Sequence, residues 1–236
     1  MKIDFNFLWS TLFLALKGIP VALGITLFSV LFGLILGFIC FMIKRARLPF
    51  FARLISVFVS FLRGTPLIVQ LFMAFAILPL LVQNFFHYFE IRVNIYDLNP
   101  VYYALFVFSF YAMAVYSEMW KSAFSAVGSQ QLDAANSVGL NHFQAYKHII
   151  GPQAFLVALP SICTSSLNIF KNTSLVFAIG VRDITNIAMI QAGTQYKYVE
   201  SYLAIFIIYL TVCTFFEYLF KRYELRLGIY KNISNF

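Results

Sequence analysis

Five hydrophobic stretches, each long enough to cross a membrane, constrain the fold of this chain more than any other feature of its sequence. A membrane-crossing helix needs about 20 predominantly apolar residues. The chain has 236 residues, of which 61% are hydrophobic and 11% are charged, and a soluble domain of this length could not bury so much apolar surface. We therefore expect an all-α integral membrane protein with one transmembrane domain over residues 1–236. The expected spans are Val21–Ile43, Ile55–Leu81, Val101–Ser122, Phe155–Ile179 and Tyr202–Phe220.

The basic residues predict how these spans are oriented. Most of them lie between the first and second spans, beside the polar segment between the third and fourth, or after the fifth. They include Lys44, Arg45, Arg53, Lys121, Lys147, Lys221, Arg222 and Arg226. Short loops rich in Lys and Arg stay in the cytoplasm, so we expect the loop 123–153 and the C-terminus there and the N-terminus outside. This distribution explains the net charge of +8 without a nucleic-acid partner.

Residues 1–17 precede the first span and differ from it. Lys2 and the apolar run Phe5–Leu16 are similar to a secretory signal, but Asp4 is unfavourable in one and no small-residue cleavage site follows. We expect an amphipathic lead-in that is retained and lies at the membrane surface.

The second expected span is interrupted by Arg63-Gly64-Thr65-Pro66. Proline removes a backbone donor, and the glycine before it loosens the turn. Non-helical backbone at membrane depth persists only where protein or a water-filled cavity satisfies it, and transporters use such breaks to present backbone groups to a substrate. The alternative is a simple kink near the cytoplasmic end, with Arg63 reaching the interface.

Polar residues also occur inside two other spans. Asn168, Lys171 and Asn172 lie on one face of the fourth span by their three- and four-residue spacing, and the third span contains Glu118. Ionisable groups at such depths usually face a bundle interior or a cavity. The alternative for Glu118 is an ion pair with Lys171 or Arg63 that only holds the helices together.

The polar segment from Gln130 to Pro152 is the least hydrophobic long stretch between spans. Asp133, Ala134 and Ala135 are followed by Gly139 and, later, by Gly151-Pro152. This order predicts a short helix with small side chains, a glycine turn and a second segment that returns to the membrane. Because a simple connection could be much shorter, we expect the segment to fit a partner outside the membrane.

Four segments, in the right order and spacing, resemble the permease subunit of polar amino acid ABC importers. Residues 63–70 match the RGTPLLVQ segment of that family, residues 116–118 resemble its YxAE segment, and residues 171–175 resemble KDTSL. The loop 123–153 resembles the EAA loop. The departures are the missing glycine before the EAA sequence and four replacements, which are Ser117, Asp133, Gly151 and Asn172.

The resemblance implies a type I ABC importer permease with five transmembrane helices and a cytoplasmic coupling helix in a bacterial plasma membrane. It implies that Asp133, Ala134, Ala135 and Gly139 dock onto a dimer of ATPase subunits, which hold ATP and Mg. A second permease copy or paralogue and an extracellular amino acid binding protein complete the expected assembly in the membrane lipid. The chain has no GxxxxGK[ST] sequence, so we expect no cofactor on it and no enzyme activity of its own.

The expected substrate is a polar amino acid. The residues expected to bind it are Gly64, Thr65, Glu118 and Asn172. Backbone groups at the break would bind the substrate carboxylate, and Glu118 would bind the substrate ammonium. Because Asn172 replaces an acidic residue, a neutral substrate such as cystine or glutamine is favoured over a cationic one.

Two other classes of function compete with the importer. An ATP-independent secondary amino acid carrier would share the broken span and the buried charges, but it gives no reason for the ordered loop. A membrane enzyme would need a nucleophile with a base, or a metal set. Ser165 and Ser166 have no His in a membrane span, and the cysteines and histidines show no metal-ligand spacing, so no metal site is expected.

Overall fold

In a computed structural model, residues 3–46, 48–89 and 98–226 are described, and helices make up the regular secondary structure in these ranges. The α-helices are α1 Phe5–Ala15, α2 Ile19–Arg45, α3 Pro49–Gly64, α4 Leu67–Tyr88, α5 Val101–Ala126, α6 Gln130–Ser137, α7 His142–Ala145, α8 Gly151–Asn172, α9 Ile184–Gln195 and α10 Tyr198–Arg226. Two 3₁₀ segments, Leu16–Gly18 and Thr173–Ile179, and one π-helical turn, Tyr146–Ile150, connect some of them.

Five helical runs are long and apolar enough to cross a membrane, as the sequence predicts. Among the described residues they are Phe5–Arg45, Leu67–Tyr88, Val101–Ala126, His142–Ile179 and Tyr198–Arg226. The prediction of an all-α membrane protein with five spans is therefore confirmed.

The bounds predicted for the second span are wrong. The sequence is apolar from Ile55 to Leu81, but the structure divides this stretch into α3 and α4, with Thr65 and Pro66 both in extended conformation between them. Only α4 qualifies as a crossing helix. Pro66 cannot donate a helical hydrogen bond and holds the preceding residue out of the α region, so the break separates two helices.

The first helix continues into the first span. The 3₁₀ turn Leu16–Gly18 links α1 and α2 into one run of 41 residues, and α1 packs against α9 and α10. The expected lead-in over residues 1–17 is thus mainly a helix joined to the bundle, and its position relative to the membrane surface stays a prediction.

Helices α2 and α5 run parallel and pack more closely than any other pair. A Cβ atom on Gly33 would lie 2.5 Å from the Cβ atom of Ala112, and one on Gly37 would lie 2.9 Å from the Cβ atom of Tyr116. Small residues allow the backbones of membrane helices to approach in this way. Trp120 Nε1 also donates a hydrogen bond to the Leu34 carbonyl at 3.2 Å.

The bundle has two chemically different ends. At one end, which we call the α9 end, Gly18 packs directly on the Asp183–Ile184 peptide, and Asp183 caps α9 by accepting a hydrogen bond from the Asn186 N–H at 2.8 Å. At the other end, which we call the α6–α7 end, α6 and α7 lie between α5 and α8 in the chain. These two ends lie on opposite sides of the bundle, because the spans run from one to the other.

Candidate functional site

The break between α3 and α4 exposes backbone polar groups inside the apolar part of the bundle. The Thr65 hydroxyl donates a hydrogen bond to the Phe61 carbonyl at 2.9 Å, which satisfies one of the last carbonyls of α3. The first N–H groups of α4 have no partner within their own helix and form the positive end of its dipole. Such a helix start is suited to a carboxylate.

Gln70 holds the two sides of this break together. Its Nε2 lies 2.8 Å from the Leu62 carbonyl oxygen and 2.8 Å from the Thr65 Oγ1, so it replaces helical hydrogen bonds that Pro66 removes. Gln70 is 9% exposed, and its Oε1 is buried without a hydrogen-bond partner. Gln70 is not among the residues predicted to bind substrate, although an amide one turn into an apolar helix after a proline is a usable signal.

A second interruption lies next to the first. Helix α8 changes into the 3₁₀ segment Thr173–Ile179 directly after Asn172. Leu67 and Leu71 of α4 belong to the same buried cluster as Ile169 and Val176, which lie on either side of this change. Helix α4 also packs against this 3₁₀ segment, so the helix that begins at the first break and the segment that follows the second are neighbours, an arrangement in which transporters form substrate sites.

Three of the predicted substrate residues flank these interruptions. A Cβ atom added to Gly64 would meet nothing within 4 Å, so its backbone borders open space. Thr65 and Asn172 are half-buried. Within the described part of the chain, the Asn172 side chain makes no hydrogen bond, which leaves its donor and acceptor available.

Glu118, the fourth predicted residue, lies elsewhere. Its Oε1 is 2.7 Å from Lys44 Nζ, and Lys44 also donates a hydrogen bond to the Ser117 hydroxyl at 3.1 Å. The alternative pairing with Lys171 or Arg63 is wrong, because the partner is Lys44. Lys44 could not be predicted as the partner, because it lies 74 positions from Glu118 and is one of several basic residues beside a loop.

Glu118 lines a cavity at the α6–α7 end. The cavity has a volume of about 580 Å³, and its walls are Phe41, Lys44, Arg45, Ala52, Arg53, Ser56, Glu118, Lys121 and Ser125. Gly64, Thr65 and Asn172 are not among these residues, so the structure does not bring all four predicted substrate residues into one cavity.

The segment predicted for coupling contains the expected helix and glycine turn. Gly139 has a φ of +81°, in the left-handed region that favours glycine. The Leu140 N–H donates to the Ala135 carbonyl at 3.1 Å, and the Gly139 N–H donates to the Asn136 carbonyl at 3.0 Å. These two bonds form a Schellman motif that ends α6.

The return to the membrane is equally ordered. Asn141 and Gln144 form a capping box at the start of α7, which satisfies two free N–H groups. The π-helical turn that follows brings the Tyr146 carbonyl within 2.7 Å of where a Cβ atom on Gly151 would lie. This contact explains why glycine stands where the family pattern has leucine.

The surface of this segment carries two strongly exposed apolar side chains. Val138 is 76% exposed and Phe143 is 74% exposed. Ala135 is buried, whereas Asp133 and Ala134 are exposed.

A direct contact links this segment to the first span. The guanidinium of Arg45, the last residue of α2, lies 4.8 Å from the centre of the Tyr146 ring and donates a hydrogen bond to the Tyr146 hydroxyl. Stacking on an aromatic ring is a favourable position for arginine. A displacement of the π-helical turn would therefore act directly on α2.

Metal chemistry finds no support in the described ranges, since no group of three or more His, Cys, Asp or Glu side chains there could hold an ion.

Five spans, two adjacent helix interruptions and an ordered polar segment at one end define a membrane transport subunit. The chain belongs to the family of binding-protein-dependent transport system inner membrane components, which it matches over residues 29–229.

Two individual relatives of the chain are permease proteins of cystine and amino-acid transport systems. The chain is 32% identical to the L-cystine transport system permease protein TcyL of Bacillus subtilis (strain 168), over 89% of this chain and 85% of that protein. It is 32% identical to the probable amino-acid ABC transporter permease protein PatM of Vibrio harveyi, over 89% of each chain. The resemblance found in the sequence is thus confirmed.

A solved structure gives the same result. A crystal structure of an amino acid ABC transporter with histidines superposes with a TM-score of 0.82 at 26% identity, over 96% of this chain and 100% of that one. The chain is therefore a multi-pass inner-membrane permease subunit of an amino-acid ABC transporter. Permease subunits of this family are transport components and not enzymes, since ATP hydrolysis belongs to a separate subunit.

Proposed function

We propose that this chain forms the membrane path of an ATP-driven importer for a neutral polar amino acid, cystine or glutamine, that an extracellular binding protein delivers. The observation that carries the proposal is the meeting of two helix interruptions, at Thr65–Pro66 and at Asn172–Thr173, inside a bundle with an ordered segment at one end. The two interruptions supply a place for the substrate, and the ordered segment supplies a place for the motor.

We assign the motor contact to the segment around α6 and α7. Asp133, Ala134 and Gly139 are exposed, and Val138 and Phe143 present apolar surface beside them. A dimer of ATPase subunits with ATP and Mg would bind this surface on the cytoplasmic side. Transport then needs ATP to stabilise one of two arrangements of the bundle, and the Arg45–Tyr146 contact gives the motion a path to α2.

In the proposed site, the start of α4 and the backbone at Gly64 and Thr65 bind the substrate carboxylate, while Asn172 binds a neutral polar group. The assignment of the substrate ammonium to Glu118 has less support, because Lys44 already neutralises that carboxylate at 2.7 Å. Glu118 could take this role only if Lys44 released it in another state of the transport cycle.

A neutral substrate follows from the charges. Asn172 carries no charge where the family pattern has an acidic residue, and Glu118 is paired. A cationic side chain would therefore find no free carboxylate among these residues, and an unpaired charge at membrane depth is costly. The similarity to an L-cystine permease supports the same substrate class.

The test is uptake into proteoliposomes that contain this chain with its ATPase subunit and binding protein. We expect labelled cystine or glutamine, and not arginine, to accumulate only when ATP is on the ATPase side and the binding protein is on the other. Uptake that persists without ATP would instead identify the ATP-independent secondary carrier. Uptake of arginine alone would contradict the neutral substrate while leaving the importer intact.

A further inference from the structure

The 580 Å³ cavity at the α6–α7 end has a charge that the transport path does not explain. Among the described residues on its walls, Lys44, Arg45, Arg53 and Lys121 are cationic, and Glu118 is the only carboxylate. Lys44 neutralises that carboxylate, and Arg45 stacks on the neutral ring of Tyr146. In the part of the chain that the structure describes, Arg53 and Lys121 have no ion pair.

The neighbouring helix α3 is short, and its sides differ in character. Its 16 residues extend about 24 Å at 1.5 Å per residue, less than the hydrocarbon thickness of about 30 Å, and it does not qualify as a crossing helix. One side contributes Ala52, Arg53 and Ser56 to the cavity. A second side packs Val59 and Leu62 against α5. A third side carries apolar side chains that are each more than half exposed: Phe50, Phe51, Leu54, Val57 and Phe61.

We propose that this cavity binds the phosphate headgroup of an anionic phospholipid, whose acyl chains lie along the apolar surface of α3. Basic pockets between membrane helices on the cytoplasmic side suit such headgroups, and the exposed apolar side of α3 beside the cavity gives the acyl chains of the same lipid a surface to lie along. Ser56 and Ser125 add hydroxyl groups to the cavity wall. The uncompensated charges of Arg53 and Lys121 favour an anionic lipid over a zwitterionic one.

The proposal rests on the proposed orientation, which places the α6–α7 end in the cytoplasmic leaflet. It makes lipid composition a condition for activity, because the headgroup would lie against Lys44 and Arg45, the residues that connect α2 to α5 and to the π-helical turn. A bound phosphate would thus hold the end of α2 near the segment proposed for ATPase docking.

The test counts lipids on the purified transporter and does not measure transport, so its failure is distinct from failure of the proposed function. The complete complex is reconstituted in vesicles of equal parts phosphatidylglycerol and phosphatidylcholine, re-extracted in mild detergent and weighed by native mass spectrometry. We expect retained phosphatidylglycerol on the wild type. The double variant Arg53→Gln/Lys121→Gln should lower that retention roughly tenfold or more, since it removes the two cavity cations that form no ion pair among the described residues and that would contact the phosphate directly.

The matched control is Lys221→Gln/Arg222→Gln, which removes one Lys and one Arg from exposed positions on α10 outside the cavity walls. It should keep the wild-type lipid count. Arg53→Gln alone serves if the double variant fails to assemble with the ATPase. Equal retention in the two double variants, or no preference for phosphatidylglycerol in the wild type, would overturn the proposal. So would binding of inorganic phosphate with no retained lipid, which would make the cavity a site for a soluble anion.

Discussion

At the scale of single residues, Asn172 is the side chain through which substrate charge can be tested. It is half-buried at the end of α8 and makes no hydrogen bond within the described residues. We expect Asn172→Asp to shift competition toward cationic amino acids by roughly tenfold, because a partly desolvated charge pair is worth about 1–2 kcal/mol. Inhibition of labelled cystine uptake by arginine and by glutamine measures the shift.

The control for this substitution is Asn168→Asp, which adds the same charge one helical turn earlier in α8. An unchanged competition profile in Asn172→Asp would remove Asn172 from the site. The same shift in both variants would mean that the charge acts at long range on the whole path.

Asp183 at the start of α9 permits a prediction about pH. Its side chain is 0% exposed, and this burial raises its pKa from 3.8 to about 6. A folded-state pKa above the unfolded value means that the folded state binds more protons between these two values. Stability therefore falls as the pH rises from about 4 to about 6 and stays low above that range.

We expect Asp183→Asn to stabilise the chain above pH 6, because asparagine caps a helix as well as aspartate and cannot ionise. The gain is about 3 kcal/mol at pH 7 at most, from a shift of about two units. Thermal unfolding of the purified complex across this pH range measures it. A wild type and variant with parallel pH profiles would show that the carboxylate is stabilised by a partner.

The candidate site residues were chosen from the sequence, but the structural neighbours of these residues could not be predicted from it. Gly64, Thr65 and Asn172 stood out because glycine, proline and amides are unusual in apolar helices. Gln70 was missed because one amide among apolar residues does not show that its side chain reaches back across a break. Lys44 was missed as the partner of Glu118 because the parallel packing of α2 on α5 depends on the close contacts at two glycines.

At the scale of elements, the polar segment between α5 and α8 carries a prediction about docking. Gly139 lies in the left-handed region, and a Cβ atom there would meet nothing within 4 Å. An arginine side chain at this position would therefore point away from the chain, toward whatever binds the segment. We expect Gly139→Arg to abolish ATPase association and transport while membrane insertion continues, as measured by copurification of the ATPase subunit from native membranes.

Gly139→Asn separates docking from backbone strain, because asparagine tolerates the left-handed conformation better than other residues with a side chain. It should retain most of the ATPase. If both variants lose the ATPase, the turn itself has failed, and if Gly139→Arg still transports normally, the segment does not couple to a motor.

Hydropathy predicted the number of spans because crossing a membrane requires a length that composition reveals. It misplaced the second span, since apolar residues run without interruption from α3 across Thr65 and Pro66 into α4. A window of average hydropathy cannot detect a break between two helices when both are apolar. In the sequence, only Gly64 and Pro66 indicate where α3 ends and α4 begins.

At the scale of the whole molecule, orientation is a prediction that two cysteine variants test. Val138 is 76% exposed at the α6–α7 end, and Gln195 is exposed at the end of α9. The distribution of basic residues places the first in the cytoplasm and the second outside. We expect a membrane-impermeant thiol reagent to label Gln195→Cys in spheroplasts and Val138→Cys only in inside-out vesicles, with no ATPase coexpressed. The reverse labelling pattern would invert the topology.

The assembly follows from the same geometry. One chain presents a single segment of the α6–α7 type, whereas the proposed motor is a dimer of ATPase subunits, so a twofold complex needs two permease chains. We expect native mass spectrometry of the purified transporter to find two permease and two ATPase subunits. Coexpression of copies with two different tags decides the partner, since capture of one tag recovers the other in a homodimer and a different permease in a heterodimer. A complex with a single permease chain would contradict the twofold arrangement and would require one bundle to enclose the whole path.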